Sequence, residues 1–77
     1  MMRIHGKTIP VELFTEYCRN IQRMERLREA AAFSLYAQAD QLRSDIHDAI
    51  LKHAETDRND TNFTLALAEE TERALGY

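Results

Sequence analysis

Residues 13–54 read LFTEYCRNIQRMERLREAAAFSLYAQADQLRSDIHDAILKHA, and the organisation of this stretch decides the fold. It contains neither glycine nor proline. Gly6, Gly76 and Pro10 all lie near the ends, leaving about 65 consecutive residues free of the strongest helix breakers. At about 100° per residue, Leu13, Phe14, Tyr17, Ile21, Met24, Ala31, Ala32, Leu35, Tyr36, Ala39, Leu42, Ile46, Ala49, Ile50 and Ala54 fall in one band roughly 140° wide. The phase does not slip, and that coherence predicts one long amphipathic helix over residues 10–55, straight or bent. The alternative is a helical hairpin broken near residue 40, with Asp40 or Ser44 capping a second helix after a turn at residues 40–45. Average helix lengths of about 11 or 12 residues favour the hairpin.

Outward from this stretch, the flanks are shorter and more polar. In the N-terminal arm, residues 1–9, Ile4 and Ile9 bracket His5-Gly6-Lys7-Thr8, which suits an extended arm or a small hairpin needing a surface to lie on. Pro10 fits the start of the first helix, and Glu12 in its first turn complements the positive helix end. On the far side, residues 56–61 form a polar loop. Asp60, Thr61 or Asn62 can cap a C-terminal helix over 62–75 whose face is Phe63, Ala66, Leu67, Glu70 and Ala74. Gly76 ends that helix in a left-handed cap, with Tyr77 placed for the apolar contact that accompanies such caps.

The expected fold class is therefore all-α: a long amphipathic helix, or a helical hairpin, plus a short C-terminal helix in a single-domain bundle. With 77 residues the core is small, and an apolar stripe of this length calls for a second copy, so a homodimer is expected. Phe14, Tyr17, Ile21, Met24, Arg28, Leu35, Leu42 and Ile46 are the candidate core or dimer-interface residues. Placing Arg28, Gln38 and Asp45 at core positions of the opening 3-4 repeat argues against a regular parallel coiled coil. A charge at Arg28 needs a partner, and Glu69, Glu70 or Glu72 of the last helix or of a second subunit could supply it.

Charged residues make up 30% and hydrophobic ones 44%, the balance of a folding chain rather than a disordered tail. The net charge of −3 is unevenly spread: residues 1–28 hold six basic and three acidic side chains, residues 29–77 four and ten. That polarity suits antiparallel self-pairing or one basic contact surface. Cys18 is the only cysteine, and no apolar run of about 20 residues suggests a membrane span, so a reducing cytoplasmic setting is expected, without membrane association.

Catalytic motifs are lacking. Cys18 has no histidine near it in sequence, and neither a phosphate-binding glycine loop nor a dinucleotide fingerprint occurs. His47 and His53, six apart, fall on different helix faces and do not have helical metal-ligand spacing. No enzyme activity, metal or cofactor is expected. His53, inside the apolar band, reads as a partly buried histidine, and Leu51 and Phe33, outside it, as exposed.

Arg19, Arg23 and Arg26, spaced four and three, share the face opposite the stripe and could grip an acidic protein or, as the alternative, nucleic-acid phosphates. The plainer reading is a solvated face with pairs such as Glu16 to Arg19 or Gln22 to Arg26. Phe33, with Ala30 and Ala37, could form a second packing surface. The opening Arg3-Ile4-His5-Gly6-Lys7-Thr8-Ile9-Pro10, leading directly into an amphipathic helix, resembles the start of several small helical accessory proteins of temperate phages and prophages. This resemblance implies a non-enzymatic regulatory role in a host cytoplasm through contact with a host or phage protein. It assigns no role to individual residues.

Overall fold

A computed structural model describes residues 1–77. The chain forms an antiparallel β-hairpin, β1 (Met2–Ile4) and β2 (Lys7–Ile9), followed by three helices, α1 (Val11–Glu29), α2 (Phe33–His53) and α3 (Thr61–Leu75). The hairpin alternative is the one realised, and its break lies at residues 30–32 rather than at 40–45. There is no single helix over 10–55. Residues 40–45 are uninterrupted helix, where Arg43 pairs with Asp40 at 2.9 Å and Gln41 bonds to Asp45 at 3.1 Å, so Asp40 and Ser44 cap nothing.

The turn at 30–32 escapes notice because it uses no turn residue. Ala31 takes the left-handed conformation (φ 55°), its amide donating to the Arg28 carbonyl at 3.0 Å and the Ala32 amide to the Leu27 carbonyl at 2.9 Å. This double bond pattern is the Schellman cap, built here on alanine instead of glycine. The same cap ends α2 at Glu55 (φ 56°) and α3 at Gly76 (φ 80°), with Thr56 and Tyr77 donating back to Leu51 and Glu72. Only the last has the glycine that marks such caps in a sequence. A left-handed β-carbon costs about 1 kcal/mol, which the packing of α2 back along α1 must offset. The constant phase of the stripe was no guide to continuity, because each helix of a hairpin presents its own apolar face to the other.

α1 and α2 run antiparallel. Asn20 donates to the Ala39 carbonyl at 2.8 Å, and the Tyr17 ring lies 6.1 Å from that of His47. The N-terminal arm is folded as a hairpin closed by His5 and Gly6, both at positive φ, the turn whose twist matches that of paired strands. Its alternation turns Ile4 and Ile9 inward onto a core made with Tyr17, Ile46, Ile50, Leu51, Ala54, Phe63 and Leu67. Leu51, expected outside, is only 4% exposed, because the strand pair reaches α2 through β2 and the core at the base closes around a second face that the wheel of α2 alone leaves bare.

α3 begins at Asp60, whose carboxylate accepts the Phe63 amide at 3.0 Å and the Thr56 hydroxyl at 2.8 Å. Both bonds hold the Asp60 carboxyl below its ordinary range. The loop before it is tied to α2 by Arg58, which donates to Asp48 at 2.6 Å and Ser44 at 3.0 Å. Tyr77 makes the backbone bond of the cap, but the residue remains 69% exposed.

The core thus sits at one end, which we call the base. At the other end α1 and α2 continue as a two-helix arm whose buried side chains are Asn20, Met24 and Ala39. The molecule measures 38 × 23 × 21 Å along its principal axes.

Candidate functional site

On α1, Glu12, Glu16, Arg19, Arg23 and Arg26 occupy an arc of about 80°. Leu13, Phe14, Tyr17 and Ile21, centred about 150° further round, are the side chains that α1 packs into or against the core. The charged arc therefore faces away from the core. α2 contributes Leu35, Leu42 and Ala49, spaced seven apart and hence on one side of the helix. Where the two helices meet there is a shallow groove of about 320 Å³, lined by Glu16, Arg19, Asn20, Arg23, Leu42 and Ile46. We refer to this surface as the open face.

The open face is rich in unmet interactions. Neither the three arginines nor the two glutamates enter an ion pair within the chain, whose three ion pairs join Arg43 to Asp40, Arg58 to Asp48 and Arg73 to Glu70. The expected local pairs Glu16 to Arg19 and Gln22 to Arg26 do not form. Leu35 and Leu42, placed by the sequence in the core or interface, are 45% and 44% exposed within the single chain. Charge is segregated too: residues 19–39 carry four arginines and two glutamates, in a chain that is acidic as a whole.

Other sequence-derived candidates fall elsewhere. Tyr17, Met24 and Ile46 are buried, and Phe14 and Ile21 half-buried, as core residues should be. Arg28 is exposed and unpaired, so the interior ion pair with Glu69, Glu70 or Glu72 is not made. It projects from the outer end of α1, beside Glu25 and Tyr36, beyond the fully buried core. Phe33 is 72% exposed at the first residue of α2, and Ala30 and Ala37 are exposed near it. His53 is exposed, because α2 ends there and the base packs on Ile50, Leu51 and Ala54 instead.

The polar groups in the interior offer little to chemistry. Cys18 is buried, and burial raises its thiol pKa, the opposite of activation. His47 has a buried Nδ1 without a hydrogen-bond partner. Burial first, then the charges of Arg58 and Arg43, lower its pKa against the weaker pull of Asp48. No three of the histidine, cysteine, aspartate and glutamate side chains come together as a metal-binding group. No helix is long and apolar enough to cross a membrane. The chain matches no protein-family model, no curated protein and no solved structure. A functional reading therefore rests on the geometry of this surface.

Proposed function

We propose that the protein is a non-enzymatic helical interaction protein, a regulatory factor of the kind its N-terminal resemblance to phage accessory proteins implies, and that the open face is its contact surface. One observation carries the reading: a row of five charged side chains on α1 without internal partners runs beside two half-exposed leucines of α2 on the face that the core leaves bare. Apolar side chains flanked by charged ones have the composition of a protein interface. Stability gives no reason for this arrangement, since Leu35 and Leu42 would contribute more if covered.

Affinity purification from the native host, comparing the natural chain with R23E/L42E, tests the proposal. The natural chain should retain a stoichiometric protein that the variant, with unchanged helical content, loses. Recovery of the chain with neither a second copy of itself nor another protein, or a partner indifferent to the substitutions, overturns it.

The unpaired row Arg19, Arg23 and Arg26 also favours a second reading, nucleic-acid binding. It predicts retention on duplex DNA or RNA that weakens steeply with salt and disappears when the three charges are reversed. Absence of retention at low salt ends that reading. The acidic Glu12 and Glu16 in the same arc and the leucines beside them suit a protein surface better than a phosphate track.

A further inference from the structure

We propose that the partner seated on the open face is a second copy of this chain, docked antiparallel about a two-fold axis that crosses both helices at the level of Arg19 and Leu42. The inference rests on the open face being a contact surface, as above, and names its occupant.

The charges on the face are ordered along the helix. Glu12 and Glu16 occupy the base half of the arc, Arg23 and Arg26 the arm half, with Arg19 between them. An axis lying in the interface and perpendicular to the helices reverses their direction while stacking α1 on α1 and α2 on α2. Through the level of Arg19, it sets Glu12 opposite Arg26 of the other copy and Glu16 opposite Arg23. Four of the five charges that lack a partner within the chain then acquire one of opposite sign, while Arg19, on the axis, faces its own copy and keeps its guanidinium turned to solvent at the rim.

The apolar residues obey the same axis without further adjustment. Because α1 and α2 are antiparallel and Asn20 bonds to Ala39, the level of Arg19 on α1 corresponds to that of Leu42 on α2, and both line the groove. Leu42 then meets Leu42 across the axis, and Leu35 meets Ala49, each seven residues from the centre. The charge order of α1 is thus self-complementary about a line that also passes through the exposed Leu42 of α2, although Ile46 in the groove meets Gln38. An isologous contact requires this self-complementarity, and it closes at two copies.

The product is a four-helix layer in which every neighbouring pair of helices is antiparallel, with the two bases on opposite ends. Phe33 stays outside this contact. At about 180° from Leu42 on α2, it remains exposed in the dimer.

Sedimentation of the full chain over a concentration series, with two charge variants, tests the proposal. The natural chain should dimerise. R23E/R26E and E12K/E16K should each associate about a hundredfold more weakly, because each sets like charges opposite one another. An equimolar mixture of the two variants should recover a one-to-one heterodimer, since positions 12 and 26, and 16 and 23, again carry opposite charges across the contact. Circular dichroism confirms that each variant is folded, so that loss of association is not loss of structure.

A natural chain that stays monomeric throughout, variants that dimerise unchanged, or a mixture that fails to pair each overturn the proposal. A monomeric natural chain that still captures a host protein through Arg23 and Leu42 would leave the open face as a contact surface and remove only the second copy as its occupant.

Discussion

The base and the arm of this molecule are made of the same two helices, yet they are stabilised differently. At the base, a three-residue strand pair and a short helix close over α1 and α2, and Ile4, Ile9, Ile50, Phe63 and Leu67 are almost entirely removed from water. In the arm nothing covers the helix pair, and its buried side chains are one asparagine, one methionine and one alanine. The base uses hydrophobic burial from elements distant in sequence. The arm relies on local helix bonds, one buried polar contact and an alanine turn. An arm so thinly packed has its surface available for a partner, whereas the base has already used its own.

The contrast is broken most directly by deleting side chains on each side of it. Phe63→Ala should cost about 3–5 kcal/mol, a large share of the whole stability of a domain this small, and urea denaturation should show the chain mostly unfolded. Leu42→Ala, in the arm and 44% exposed, should cost under about 1 kcal/mol in a dilute monomer. Comparable losses at the two positions would mean that the arm is as tightly packed as the base.

Asn20→Ala tests the arm's own polar contact. It leaves the Ala39 carbonyl without its side-chain donor and should cost about 1–3 kcal/mol. Amide exchange should accelerate at residues 20–42 more than at 46–54.

Ala31→Gly should sharpen the turn. Relief of the left-handed alanine stabilises by about 1 kcal/mol, raising Tm by about 4–8 °C. An unchanged or lower Tm would show that the turn bears no such strain.

The smallest effect is a pH dependence at the junction of base and arm. The imidazole of His47, facing Tyr17, Arg43, Arg58 and Asp48, has a lowered pKa, so the unfolded chain binds its proton more readily than the folded one. Stability is complete where both forms are neutral, above the unfolded value of about 6.5, and falls as pH drops from there through the lowered folded value. Asp60, also lowered, adds a loss at more acidic pH, below the ordinary carboxylate range. Thermal melts between pH 7 and 5 should show a decline that His47→Phe flattens, while the step at lower pH persists.

Much of this was legible in the chain itself. Long segments without glycine or proline, the band of apolar residues, the polar run ahead of Phe63 and Gly76 at the end indicated the helical class, the last helix and its C-terminal cap, while its N-cap stayed open among Asp60, Thr61 and Asn62 until the structure assigned Asp60. The grouping of Arg19, Arg23 and Arg26 on one face followed from spacing alone. The link between the helices was not legible, since Ala30, Ala31 and Ala32 are strong helix formers and the cap they build has no sequence mark. Leu51 was misplaced because a helical wheel knows one stripe, while α2 in the base is covered on two sides. Arg28 was misplaced for the opposite reason: the continuous band carried it inward, but no core extends that far along the arm.

The amino-acid order therefore determined what each segment is, because helix formation and capping depend on residues within a turn or two of one another. Where the chain reverses was decided by the packing of α2 back along α1, and which faces become interior and which charges are left without partners by that packing together with the docking of the strand pair and α3 at the base. Those contacts join residues far apart in sequence, and their energy is large enough to hold an alanine and a glutamate in a backbone conformation that neither favours.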